Sequence, residues 1–358
     1  MVTMFTNVIL KLSKQVFVPQ TVFLRTYRTV LSKEIPVSQF CTIILKCPYN
    51  INIKPIDVFQ SQNKAFINID TNSDASKVPD VICNYNNDIL SVDVIGSDKE
   101  DFTLNIDTSV KANVDIQGCN NINIGNFYGK YIKANTKNGH INLAKSQCEE
   151  ISLITDNGDI VCKDVTQAGD ITLKIQNSGK ITTDRLQGLK LQAYVANGSI
   201  NVGSSYCDKS NFEIETGELQ LKNLHKHVTI NIKEEALLNI VGFDGDISIN
   251  MKKGLANIQF SRIIEDSKIH IENDGSLILR LSEECQKENL IELLTNNFVL
   301  TDTINMNVNR NNESCELFPI DREKDGLYKL HVSCKKSHVL VNSASWTDLF
   351  EKSYRVKD

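Results

Sequence analysis

His225 and His227 stand two residues apart, close enough in sequence to share a metal ion. On an extended segment both rings point to one side. Zinc fills four positions, however, and no cysteine lies beside the pair, while His140, His270, His331 and His338 are scattered. With two ligands missing, the pair reads as a solvated strand end. The second constellation is Asp156, Asp159, Asp164 and Asp170. Glycoside hydrolysis needs two carboxyls roughly 5–10 Å apart. These aspartates flank Gly158 and Gly169, where a short acidic side chain bonds to turn backbone, and that is the preferred reading.

The third set is the ten cysteines, Cys41, Cys47, Cys83, Cys119, Cys148, Cys162, Cys207, Cys285, Cys315 and Cys334. Their gaps are irregular and contain no C-x-x-C, so neither a zinc knuckle nor a redox pair is indicated. Cys162 occupies an apolar strand phase, where cysteine behaves as a small hydrophobe. No Gly-rich phosphate loop, G-x-S-x-G elbow or zinc-protease motif is present. No catalytic, cofactor-binding or metal-ligating residue is assigned.

What must carry any site is read from composition and period. The chain has 358 residues with 39 Lys plus Arg against 44 Asp plus Glu, a net charge of −5. That balance excludes the basic stripe a nucleic-acid binder needs. No run of 18 apolar residues occurs, so no transmembrane helix is expected. The first 33 residues hold Lys11, Lys14, Arg25, Arg28 and Lys33 and no acid. Wound as a helix, Phe5, Val8, Ile9, Leu12 and Val16 share a face. Residues 1–38 are therefore expected to be a mitochondrial targeting leader, disordered or helical, with matrix as the destination. Lys11 and Lys14 interrupt the apolar core that a secretory signal would require. In a reducing matrix the cysteines stay thiols.

Proline and glycine give the fold. Residues 80–318 contain no proline, the residue that sheets confine to edges and bulges, so nearly every strand there should be a central one. Asn138-Gly139-His140-Ile141 recurs as Asn157-Gly158-Asp159-Ile160, Ser178-Gly179-Lys180-Ile181, Asn197-Gly198-Ser199-Ile200 and Thr216-Gly217-Glu218-Leu219, with glycine steps of 19, 21, 19 and 19. Asp244-Gly245-Asp246-Ile247 and Asp274-Gly275-Ser276-Leu277 continue it at steps of 28 and 30, which implies insertions. Period-two pairs follow the turns, among them Ile141/Leu143, Ile160/Cys162, Ile200/Val202 and Leu219/Leu221, with Ile171/Leu173/Ile175, Leu189/Leu191 and Val228/Ile230/Ile232 opposite. A coil this short cannot bury its own face, so coils must stack.

The expectation is an all-β, single-stranded β-solenoid (β-helix) of about 20-residue coils over residues 39–345. An irregular insertion is expected near 282–325, with a short helix over Glu283–Leu294 and loop to Ser314. Ser345, Trp346, Asp348, Leu349, Phe350 and Tyr354 suit a capping helix and tail over 346–358.

The run Gly169-Asp170-Ile171-Thr172-Leu173, Ser178-Gly179-Lys180-Ile181, Leu186-Gln187-Gly188-Leu189 resembles the putative-adhesin β-solenoid family of unknown function. Ala196-Asn197-Gly198-Ser199-Ile200, Tyr206, Leu219-Gln220-Leu221 and Trp346 are similar to its animal branch, whose members look mitochondrial. The resemblance implies a fold and supplies no activity, cofactor or catalytic residue. Solenoid enzymes align carboxylates on one outer row, whereas here the residues after the turn glycines run His140, Asp159, Lys180, Ser199, Glu218, Asp246, Ser276. The preferred function is a non-enzymatic surface for an unknown protein partner. The rival is a carbohydrate-active or metal-assisted solenoid enzyme using the acids near 156–170.

Overall fold

A chain whose apolar residues alternate strictly has to lie extended with one face covered. The computed structural model describes residues 28–344, apart from 58, 60, 61, 73–77, 97–100, 296, 312, 313, 323, 335 and 337. Among these residues the protein is all-β with one six-residue helix. The terminal cap expected at 346–358, and residues 1–27 of the leader, lie outside the described residues.

The first strands are β1 (Arg28–Pro36), β2 (Thr42–Cys47), β3 (Asn50–Pro55), β4 (Lys64–Thr71) and β5 (Asp80–Asn86). β6 (Ile89–Ile95), β7 (Phe102–Thr108), β8 (Asn113–Gly118) and β9 (Ile122–Ile124) follow. In parallel pairing, β2 lies between β6 and β8, and β3 lies between β7 and β9. The β6–β7 coil therefore stacks outside the β2–β3 coil that precedes it in the chain. Antiparallel strands cover it: β4 on β7, β1 on β4 and β5 on β6. Arg28–Pro36, placed in the leader by its basic residues, is thus a strand of this cover. Val30, Leu31 and Ile35 pack on the core, and Glu34 pairs with Lys64 at 2.5 Å.

The stack continues through β10 (Tyr131–Thr136), β11 (Ile141–Leu143) and β12 (Ser146–Asn157) into β13, an extended run of 104 residues from Ile160 to Ile263. β13 is several coils in succession, since its partners lie one coil away. Ile141 pairs with Ile160, Leu153 with Leu173, Asn157 with Ser178 and Ser248 with Lys268, offsets of 19, 20, 21 and 20. The inward side chains merge into one core cluster running from Val37 to Val341. Leu189 departs from expectation. It is 64% exposed, because Leu191, Ala193 and Val195 take the inward phase after the corner at Gly188.

The turn glycines form a column. Gly158, Gly179, Gly198 and Gly217 have φ of +136°, +155°, +146° and +134°, and a Cβ on each would lie within 2.3 Å of the carbonyl oxygen of the glycine one coil before. Only glycine fits such a backbone. Gly245 and Gly275, however, belong to different corners. A Cβ on Gly245 would strike Lys226 O, whereas Gly275 faces Gly254 O and Gly254 faces Ala236 O. The steps of 28 and 30 are therefore a change of corner, and they mark no insertion.

The far end repeats the device of the near one. After β14 (Ser267–Ile271) and β15 (Gly275–Leu281) come α1 (Glu283–Glu288), β16 (Asn289–Leu294), β17 (Phe298–Leu300), β18 (Asn307–Arg310), β19 (Cys315–Phe318), β20 (Tyr328–Ser333) and β21 (His338–Ser343). β20 pairs with both β14 and β16, and β21 with both β15 and β17, all in parallel. The last coil of the described chain is thus intercalated between two earlier ones. Antiparallel β19 and β18 finish the edge. The helix read over Glu283–Leu294 stops at Glu288, capped by the Ser282 hydroxyl, because Asn289, Leu290, Ile291 and Leu293 bury as a strand. The expected loop to Ser314 contains β17 and β18.

All ten cysteines are free thiols. Burial pushes Cys47, Cys162 and Cys334 up to about 12. At pH 8 their thiolate fraction is then at least about a hundredfold below that of an unfolded thiol. Iodoacetamide should alkylate these three at least about a hundredfold more slowly in the folded chain than in guanidinium, read by peptide mass spectrometry. Equal rates would mean that these positions are open to solvent. No helix among the described residues is long and apolar enough to cross a membrane.

Candidate functional site

Parallel coils repeat each outward position one strand spacing, about 4.8 Å, above the last, so like positions form columns. Whether a column does chemistry depends on what bonds its members. The expected row begins as a hydrogen-bonded ladder to backbone. His140 N donates to Asn121 Oδ1 at 2.9 Å, Asp159 N to His140 Nδ1 at 2.9 Å and Lys180 N to Asp159 Oδ1 at 2.8 Å. Beside it runs an amide ladder. Asn142 donates to Asn123, Asn123 to Asn52, and Asn52 to Asn105, each at 2.8 Å, while Asn105 donates to Asp70 at 2.7 Å. Between the two ladders lies a shallow groove of about 390 Å³ lined by Asn121, Asn123, His140, Asn142, Asp159 and Val161. These groups mostly satisfy one another across coils, which fixes the register.

The acids near 156–170 are dispersed. Asp159 is held by His140 and the Lys180 amide. Asp164 takes a left-handed φ of +60°, and its N–H donates to Asp184 Oδ2 at 2.8 Å. Asp170 stands opposite Glu150 in the β12 register, and Asp156 lies on β12. Elsewhere outward charges pair one coil apart: Glu213 with Lys233 at 2.6 Å, Glu234 with Lys252 at 2.7 Å and Glu235 with Lys253 at 2.9 Å.

Two columns stand apart, and both begin at the paired histidines. In the first, the Tyr206 ring stacks on His225 with centroids 4.6 Å apart and planes 16° apart, and the Arg185 guanidinium lies 6.0 Å over Tyr206. His225 is 3.7 Å from Asp244, whose carboxylate Arg262 grips with two hydrogen bonds of 3.0 and 2.6 Å. Arg185, Tyr206, His225, Asp244 and Arg262 thus run coil by coil, with Tyr206 left 42% exposed. In the second column His227 Nδ1 contacts Asp246 Oδ1, and Glu265 stands beside them. Their donor atoms all lie within 4.8 Å of one another, the one such group of three among the described residues. Sequence reasoning missed Asp246 and Glu265 as companions of His227 because they lie 19 and 38 residues away. The coil period itself was the signal: one coil beyond His227 is Asp246, and one more is Glu265. The other histidines stay apart, His331 at 3.3 Å from Glu292 and His338 at 2.6 Å from Asn297.

Comparison with known proteins bears on the fold. A family model described as Toastrack DUF4097 matches residues 51–292. Among solved structures, the chain is similar to a putative adhesin from Parabacteroides distasonis, at 11% identity over 70% of this chain and 92% of that one, with a TM-score of 0.36. A putative adhesin from Parabacteroides merdae gives 14% identity over 70% and 91%, with a TM-score of 0.32. One from Bacteroides fragilis gives 11% over 88% and 96%, with a TM-score of 0.29. No curated protein matches the chain.

Proposed function

The chain belongs to the Toastrack DUF4097 family, and from that premise we propose that it is a non-enzymatic β-solenoid, with coils of about 20 residues, that presents its outer face to a protein partner inside mitochondria. The observation that carries the reading is the column Arg185–Tyr206–His225. Tyrosine and arginine are the side chains in which interface energy concentrates. Here Tyr206 is exposed yet held against His225 on one side with Arg185 over the other, so docking on it freezes little additional motion. Several other outward charges pair with neighbours one coil away, which leaves a surface of mixed sign.

What supports the address is the acid-free, five-cation opening to Lys33. The first 40 residues fused to a fluorescent reporter should carry it into the matrix, and a cytosolic or secreted reporter would reject that location. The interaction is tested by proximity labelling in intact cells with the full chain. Tyr206→Ala and Arg185→Glu should each deplete a defined set of neighbours by about tenfold, in line with the loss of an interface anchor. An unchanged set for both variants would remove this face from the reading. The rival enzyme at 156–170 lacks support in the geometry, because Asp159 is bound to His140 and the Lys180 amide while Asp164 lies at a strained turn.

A further inference from the structure

We propose that His227, Asp246 and Glu265 form a binding site for a divalent transition-metal ion. The backbone places them. A Cβ on Gly245 would meet Lys226 O at 2.0 Å, and Ile264 N donates to Gly245 O at 3.1 Å. Residues 227, 246 and 265, each the next in its chain, therefore rise one above another on three successive coils. Donors bound to one ion at about 2.1 Å lie roughly 3–4 Å apart. These three lie within 4.8 Å, so side-chain rotation alone can close the set.

Charge distinguishes this column from those around it. In the neighbouring column, which holds His225, Asp244 and Arg262, Arg262 neutralises Asp244. Here the corresponding top position carries Glu265, so two carboxylates stand together with the His227 imidazole beside them. Lys226 is engaged by Asp208. Two carboxylates this close repel unless a cation joins them. A second, independent observation concerns Asp246 Oδ1. It is shielded from solvent and receives no hydrogen bond, while His227 Nδ1 lies in contact with it. A carboxylate oxygen and a ring nitrogen are thus turned to one point, which is the arrangement of two ligands.

One imidazole and two carboxylates form a borderline-to-hard set that suits Mn²⁺, Fe²⁺ or Zn²⁺. Three protein ligands also leave coordination positions open, here on the solvent side where His227 and Glu265 are exposed. Those positions would accept water or an anionic group of an incoming molecule.

The test titrates Mn²⁺ alone into the full-length chain and follows free aqua-Mn²⁺ by electron paramagnetic resonance, since Mn²⁺ prefers oxygen and nitrogen over the cysteine thiols. One ion per chain should bind saturably. His227→Ala and Glu265→Gln should each weaken binding by about tenfold or more, whereas His225→Ala should change it by less than about twofold. Both tested side chains are exposed, so circular dichroism should match the parent chain. No saturable binding, or an equal loss in His225→Ala and His227→Ala, would overturn the site.

Discussion

Gly179→Val should destabilise the protein by about 3 kcal/mol or more, because it violates both backbone geometry and space. At φ +155° an L-residue is strained whatever surrounds it. The new Cβ would lie 2.0 Å from Gly158 O and 2.8 Å from Gly158 C, backbone atoms that cannot swing away. Gly198 presses in turn on Gly179 O, at 1.9 Å from its own Cβ position. Any shift of Gly179 therefore travels to the coils on both sides. Gly326→Ala is the control. Its φ is +80° but nothing lies within 4 Å, so its cost should be near 1 kcal/mol. Urea unfolding compares the two, and hydrogen exchange over residues 158–217 locates the damage, since a stack of coils need not unfold in two states. Equal midpoints for the two variants would refute the glycine column.

That column was legible in the sequence as far as Gly217 because its cause is local: a corner needs a conformation that glycine alone adopts readily. Which corner was not legible. Asp244-Gly245-Asp246-Ile247 looks like Asn157-Gly158-Asp159-Ile160, yet Gly245 stacks on Lys226, itself at φ +63°. A turn motif specifies a backbone angle, whereas membership of a column depends on the spacing of the whole coil. Leu189 shows the same limit, since its period with Leu191 is right but the chain is still rounding the corner. Leu290, Ile291 and Leu294 fit either a helix or a strand, and pairing with β19 and β20 decides for the strand. The candidate metal column was hidden for a further reason. Ligands one coil apart look unrelated in a linear reading, because Asp246 and Glu265 lie 19 and 38 residues beyond His227.

Least legible of all was the order of coils. Every coil offers the same alternating apolar edge, so any one could stack on any other. Sequence order fails at both ends: β6–β7 lies outside β2–β3, and β20–β21 slips between β14–β15 and β16–β17. Antiparallel strands finish the stack at both ends of the described residues. Antiparallel β1, β4 and β5 finish one end and β18 and β19 the other, because reversing direction brings extra strands to an edge without starting another coil.

Val332→Asp tests that intercalation directly and should cost about 3–5 kcal/mol. Val332 on β20 is fully buried, with Ile269 of β14 opposite on one side and Leu293 of β16 on the other. A carboxylate there has apolar neighbours in both adjacent coils. Burial raises its pKa above the unfolded value, so the deficit is largest at neutral pH, shrinks as pH falls through the raised pKa, and reaches its minimum once pH is below the ordinary aspartate range. Val299→Asp is the matched control. It lies on β17, 58% exposed, and a charge there should move stability by no more than about 0.5 kcal/mol. Because coils contact only their neighbours, the damage should also be local. Hydrogen exchange should show lost protection from Ser267 to Ser343 while Ile141 to Leu221 keeps its own. If β20 were a loose terminal strand packed on β14 alone, Val332→Asp would behave like Val299→Asp, and the intercalated order would have to be abandoned.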